Sequence, residues 1–369
     1  MNALVALDYG LGPDLVASIR QSVEKQEAFC VVDQRLSPRR QREELALLGA
    51  THIQSSQGRV TLTQGEPVES DIGLVMLTSG SSGTPKAAMH SWQSLRASAE
   101  LTQATLRSDT PPIWMPCLPA NHIGGLAVLL RSIFSDAALL WADSNDLAAG
   151  ARAGATHISV VRAQLARNDL GGYQKVLLGG AKSPQELPEN VLTTWGMTET
   201  GSGVVYNGLA LPGVEIAEVD GEILVRSDTL FSAYRNAPRP RATGPDGLDD
   251  WFPTGDAGSI TNGVLSIRGR LGFVINTGGE KVWPEDLENV LSTIGGVKEC
   301  AVTGIEDPEW GQKIVALIVN DGKNIDKEIR AVSDERIGPW AKPKEIRYVA
   351  AIPRTGNGKI RRNELEFLF

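Results

Sequence analysis

The stretch Thr78-Ser79-Gly80-Ser81-Ser82-Gly83-Thr84-Pro85-Lys86 carries the groups that a polyphosphate needs. Gly80 and Gly83 permit positive φ, so backbone N–H groups can turn toward an anion. The hydroxyls of Thr78, Ser79, Ser81, Ser82 and Thr84 add donors, and Lys86 adds a positive charge. A Walker A loop needs Gly-Lys followed by Ser or Thr. Here Pro85 precedes Lys86 and Ala87 follows it, which excludes a P-loop ATPase. Trp195-Gly196-Met197-Thr198-Glu199-Thr200 offers a ring to stack on a base, a hydroxyl donor and a carboxylate that can hold Mg2+. Asp256, in Thr254-Gly255-Asp256, is a carboxylate able to accept both hydroxyls of a ribose. Arg270, after Gly269, supplies a guanidinium for ribose or phosphate. Each of these has a plainer alternative: a flexible Ser/Gly linker, a surface Thr-Glu pair, a turn aspartate.

The elements around them argue for positioned groups. The apolar run 73–77 predicts a buried strand, 87–90 a short returning strand, and Ser91 the N-cap of a helix through Leu101. In 114–131 a strand ends at Pro119, a turn carries Asn121 and His122, and an apolar helix follows from Gly124. That puts His122 at a helix entrance, where α/β proteins place ligands; a core or capping histidine is the alternative. Strands are expected over 156–161 and 175–178, and Gly179-Gly180-Ala181 then lets a flat ligand approach the backbone. Residues 1–70 read as a helix over 13–25, a strand over 28–33, a helix over 38–48 and a strand over 50–53, which suggests βα units. Further strands are expected at 222–225 and 264–268, with residues 251–256 ending a unit between them. Beyond Arg270 a small α/β domain is expected. Its strands are 273–276, 300–304 and 313–319, and its helices 284–294 and 327–334.

The 369 residues suggest two or three domains with ample core. A net charge of −8 argues against a general nucleic-acid or anionic-membrane binder. Cys30, Cys117 and Cys300 are scattered without metal spacing, as expected of reduced thiols in a cytosolic protein. Residues 1–10 do not read as a signal peptide, and no apolar run reaches membrane-spanning length. A cytoplasmic location is expected.

Taken together, TSGSSGTPK, WGMTET, the Thr-Gly-Asp ending at Asp256, Gly269-Arg270, TGGEKV at 277–282 and PRTGNGK at 353–359 resemble, in order, the signatures of the adenylate-forming enzymes. These are the acyl-CoA synthetases, luciferases and peptide-synthetase adenylation domains. The resemblance runs from about residue 29 to the C-terminus. It implies a large α/β domain over 1–270 with a truncated N-terminal region, and a small mobile α/β domain over 271–369. It also implies two half-reactions: a carboxylate with MgATP gives an acyl-adenylate, and the thiol of coenzyme A then displaces AMP.

By the same resemblance, residues 78–86 hold the β- and γ-phosphates, and Thr198 and Lys359 stabilise charge at the α-phosphate. Glu199 positions Mg2+. Trp195 and Gly179-Gly180-Ala181 lie against the adenine. The family usually has Tyr where this chain has Trp195, so stacking survives and a phenolic hydroxyl does not. Asp256 and Arg270 fix the ribose. His122 and Gly124 line the acyl pocket, and the stretch with Gly201 and Gly203 borders it. Gly278 and Gly279 belong to the loop serving the thioester step. Gly272 falls at the family's hinge position, usually Asp or Lys. Amino-acid-activating members usually carry an Asp in the segment matching 114–131. This chain has none there, which disfavours an amino acid. LPANHIGGLAVLLRS, GMTETGSGVVYNG and INTGGEKVWPEDLE are most similar to the o-succinylbenzoate–CoA ligases of menaquinone biosynthesis, short actinobacterial type. Another aryl or medium-chain acid is the alternative within the family. A nucleotide-binding protein without turnover is the alternative outside it. The implied partners are a small carboxylic acid, ATP and CoA, without nucleic acid or membrane insertion; a homodimer is compatible with the sequence.

Overall fold

A computed structural model describes residues 1–78, 85–106, 110–135, 137–180, 186–354 and 360–369. Ser79, Gly80, Ser81, Ser82, Gly83, Thr84, Ala181 and Lys359, singled out above, lie outside the described residues. The chain divides into two units. One covers the described parts of 1–80, 84–216 and 225–252, the other those of 217–224 and 253–369.

The first unit holds an eight-stranded sheet and a seven-stranded sheet. At the centre of the first sheet, Leu4–Leu7, Ala28–Val31 and Ile72–Thr78 run parallel. Helix Pro13–Lys25 makes the crossover between the first two. Successive side chains of a strand point to opposite faces, and both faces here are covered. Leu4, Ala6, Ala28, Cys30 and Val75 pack on one side. Val5, Leu7, Phe29, Leu74 and Met76 pack on the other, against Leu15, Ile19, Leu95, Leu126 and Leu129. Helix Pro38–Leu48 follows its Ser37 cap and stops at Gly49 in the left-handed region. Ile72–Thr78 pairs antiparallel with Lys86–Ser91, and Ser91 Oγ caps helix Trp92–Thr105 by accepting the Ser94 N–H at 3.1 Å. Ala233–Tyr234 adds to the free edge of Lys86–Ser91.

In the second sheet Ala138–Leu139, Ile113–Met115, His157–Val161, Lys175–Gly179 and Val191–Met197 are parallel in that order, Ser202–Tyr206 follows antiparallel and Leu209–Ala210, antiparallel to it, closes the sheet. Ile113–Met115 ends before Pro116, earlier than the expected Pro119, because proline has no N–H for the ladder. Glu215–Val219, Glu222–Arg226, Phe252–Thr261 and Val264–Arg270 form a four-stranded sheet whose residues fall mainly in the second unit, and that unit also has a five-stranded sheet built on Val297–Asp307 and Gly311–Asn320. Phe252–Thr261 runs straight through the point where the sequence suggested an end. The strand expected at 273–276 starts later, as Ile275–Thr277, because Phe273 closes the 3-10 turn Leu271–Phe273. Helices Pro284–Leu291 and Asp326–Arg336 cover the five-stranded sheet through Leu287, Leu291 and Ile329. Among the described residues no helix is long and apolar enough to cross a membrane.

Candidate active site

Thr78 ends the central strand of the first unit and lies in register with Lys86. The Lys86 ammonium sits 4.9 Å from the centroid of the Tyr234 ring. Tyr234 is held there by backbone bonds on both sides: Ser232 N–H donates to Met89 O and Arg235 N–H to Ala87 O, each at 2.8 Å. The Tyr234 hydroxyl donates to Glu199 Oε1 at 2.9 Å.

Glu199 belongs to the 3-10 turn Thr198–Thr200, which is pinned from several directions. His90 Nε2, on the same strand as Lys86, donates to Thr198 O at 2.7 Å. The Phe231 N–H donates to Glu199 O at 2.9 Å. Thr200 Oγ1 accepts the Met197 N–H at 2.8 Å, and Gly201, at φ 69°, turns its N–H back to Thr198 O. A side chain at Gly201 would be strained whatever the space. Burial pushes the His90 pKa down to about 4, with its bond to Thr198 opposing, so the imidazole that braces this turn is neutral. The structure thus brings together Thr78, Lys86, Thr198 and Glu199. Sequence reasoning missed Tyr234 altogether, and it gave His90 only a place in a strand.

Trp195 is half-buried and sits at a bulge with Gly196, where a Cβ would come within 2.2 Å of Ser202 O. Beside that strand, Lys175–Gly179 ends at Gly179, and Gly180 follows at φ 88°. Gly203 lies against Thr194 and Tyr206.

His122 is the N-cap of helix Ile123–Phe134 but makes no side-chain cap bond. Its Nε2 instead lies 3.3 Å from Arg35 Nη2. Arg35 grips Asp33 with Nε on Oδ1 and Nη2 on Oδ2, both at 2.7 Å, and Asn121 Nδ2 donates to Asp33 Oδ2 at 3.0 Å. Burial pushes the Asp33 pKa up, but Arg35's hydrogen bonds and charge outweigh it and the carboxyl titrates below its usual range. Gly124 is exposed on the first turn of the same helix.

That helix carries a further residue that the sequence reading passed over. Arg131 is only 2% exposed, its guanidinium 4.4 Å from the Trp114 ring centroid and Nη2 donating to Ser202 Oγ at 3.3 Å. Among the described residues its Nε and Nη1 are buried with no hydrogen-bond partner, as are Trp114 Nε1 and His157 Nε2 beside it. Burial, with help from the charges of Arg131 and Lys175, drives the His157 pKa down to about 4. The signal was a lone arginine closing the apolar run Leu126-Ala127-Val128-Leu129-Leu130.

In the second unit Asp256 and Arg270 are register partners, joined by an ion pair of 2.9 Å. Arg270 Nη1 also donates to Thr254 O at 2.6 Å. Gly278 and Gly279 form the tip of the hairpin Ile275–Thr277 with Glu280–Val282, both at positive φ (58° and 85°). Gly272 sits within the 3-10 turn Leu271–Phe273. Among the described residues no cluster of three acidic, His or Cys side chains could cage a metal. A lone carboxylate such as Glu199 suits Mg2+, which is commonly held by one or two carboxylates plus substrate phosphates.

The AMP-binding enzyme family model matches residues 10–235, and that of the AMP-binding enzyme C-terminal domain matches 286–359. The chain belongs to the AMP-binding enzyme family. A probable 2-succinylbenzoate–CoA ligase of Mycobacterium tuberculosis is 34% identical over 335 residues, spanning 82% of this chain and 86% of the relative. The 2-succinylbenzoate–CoA ligase of Escherichia coli is 30% identical over 340 residues, 85% of this chain and 72% of that one. In fold, the chain is similar to the o-succinylbenzoate CoA synthetase of Bacillus subtilis in complex with the acyl-adenylate intermediate OSB-AMP. The TM-score is 0.83 at 24% identity, covering 99% and 88% of the two chains. It is also similar to ATP-bound MatB from Rhodopseudomonas palustris, at TM-score 0.84 and 20% identity, covering 100% and 89%.

Proposed function

We propose that the chain is an AMP-forming acid–CoA ligase acting on o-succinylbenzoate, ATP and CoA in the cytoplasm. A carboxylate oxygen of the acid attacks the α-phosphorus, the bond to the bridging oxygen breaks and pyrophosphate leaves. The CoA sulfur then attacks the acyl carbon, AMP departs and the thiol proton is released. The substrate carboxylate is already a nucleophile, so the protein's work is positioning and charge stabilisation. Residues 78–84 with Lys86 take the β- and γ-phosphates. Thr198 and Lys359 act at the α-phosphate. Trp195 with Gly179, Gly180 and Ala181 holds the adenine, and Asp256 and Arg270 the ribose. Glu199 holds Mg2+, which neutralises phosphate charge when bound. His122, Gly124, Gly201 and Gly203 border the acid, and Gly278 and Gly279 serve the thioester step. Gly272 is the hinge between a domain over 1–270 and one over 271–369.

The observation that carries the choice of acid is Arg131. A buried guanidinium with two nitrogens unpartnered among the described residues is costly unless an anion meets it. One carboxylate of o-succinylbenzoate reacts at phosphorus; the second is the matching counter-charge. The 2-succinylbenzoate–CoA ligases among the relatives support the same reading. Hydrogen bonds to charged groups are worth about 1.5–3 kcal/mol, roughly ten- to a hundredfold in binding. Arg131→Met should raise KM for o-succinylbenzoate by that factor, leave KM for ATP unchanged and erase the preference over plain benzoate. Wild-type KM for o-succinylbenzoate in Arg131→Met would sink the dicarboxylate reading.

A further inference from the structure

Tyr234 touches two groups of opposite charge with different parts of one side chain. Its hydroxyl donates to Glu199 Oε1 at 2.9 Å, and its ring faces the Lys86 ammonium 4.9 Å from the centroid. We infer that Tyr234 is a positioning residue that aims the Glu199 carboxylate at the divalent cation and parks Lys86 beside it for the phosphates. The inference rests on the roles proposed above for Glu199 and Lys86.

The geometry separates the two tasks. With Oε1 accepting from the phenol, and no other side-chain bond to Glu199 among the described residues, Oε2 is the carboxylate oxygen left without a side-chain donor to face a cation. Donors of this kind fix a ligand's orientation, and their loss typically costs about 10- to 100-fold in metal affinity. Lys86 makes no ion pair with a carboxylate among the described residues; the ring face holds its charge instead. A carboxylate partner would compete with phosphate for the ammonium, whereas an aromatic face releases it readily. The ring itself is fixed. Its backbone pairs with Ala88, and Phe231 packs 4.7 Å away, itself edge-on to Phe252 at 5.3 Å.

The test is calorimetric binding of a non-hydrolysable ATP analogue, with and without Mg2+, and needs no turnover. Tyr234→Phe keeps the ring and deletes the hydroxyl. It should raise the Mg2+ concentration for half-maximal nucleotide binding about 10- to 100-fold and leave metal-free binding unchanged. Tyr234→Leu should add a several-fold loss in metal-free nucleotide binding, because Lys86 loses its perch. Tyr234→Phe with wild-type Mg2+ dependence, or with equal losses in the presence and absence of metal, overturns the inference. Glu199→Gln is the control. If it too leaves Mg2+ dependence unchanged, the assignment of Glu199 fails; if it alone shifts, only the role of Tyr234 fails.

Discussion

Lowering the pH should weaken the first unit through His90 and His157, both fully enclosed and both with pKa values near 4 against an ordinary 6.5. Burial is the leading cause for each. The sign follows from proton uptake. Below about pH 6.5 the unfolded chain binds a proton at each imidazole while the folded chain does not, so stability is present above that pH and is lost toward pH 4. The slope is about 1.4 kcal/mol per pH unit per group, so between about pH 7 and 5 each histidine removes about 2 kcal/mol and the pair about 4. Against a typical stability of about 5–15 kcal/mol this is a large share. Urea unfolding followed by tryptophan fluorescence at several pH values measures it, with His90→Gln, His157→Gln and the double variant. The double variant should lose about 4 kcal/mol less than wild type over that interval. Parallel pH profiles for wild type and double variant would refute the argument.

His122→Ala should raise KM for the acid or lower kcat while leaving ATP affinity alone; equal losses for both substrates would mean that the ring serves only packing. Lys359→Ala should slow adenylation by roughly a hundredfold or more, with thioester formation from supplied acyl-adenylate better preserved. Equal loss in both half-reactions counts against the assignment of Lys359. Gly272→Pro, which fixes φ near −65°, should cost one half-reaction, most directly thioester formation, far more than the other in single-turnover assays. Normal rates in both would place the hinge elsewhere.

Where sequence carried a local rule, the fold was readable. Helices 13–25 and 38–48 open on Pro13 and Pro38, and Gly49 ends the second. Ser91 begins the helix after the returning strand as expected, although that helix runs on to Thr105. Phe252–Thr261 was not readable, because Pro253, Gly255 and Gly258 break its pattern. Gly255 sits at φ 72°, and a Cβ at Gly258 would come within 2.5 Å of Ser266 O. The candidate site divides the same way. Thr198, Glu199 and Lys86 stand in recognisable strings, whereas Tyr234 sits in FSAYRNAP, which has no chemical signature. Its link to Glu199 exists only because Ala233–Tyr234 pairs with Lys86–Ser91. His90 reaches Thr198 across 108 residues of sequence, and Arg35 reaches His122 across 87. Such contacts come from strand pairing and packing, which no local pattern encodes.

The most direct measurement is AMP release by the wild-type chain with ATP, Mg2+ and CoA, across a panel of acids that includes o-succinylbenzoate, benzoate and a medium-chain fatty acid. AMP formation should require both acid and CoA and show its highest kcat/KM with o-succinylbenzoate. Strong turnover of the fatty acid with none of o-succinylbenzoate would contradict the substrate, and nucleotide binding without adenylation of any acid would contradict the ligase.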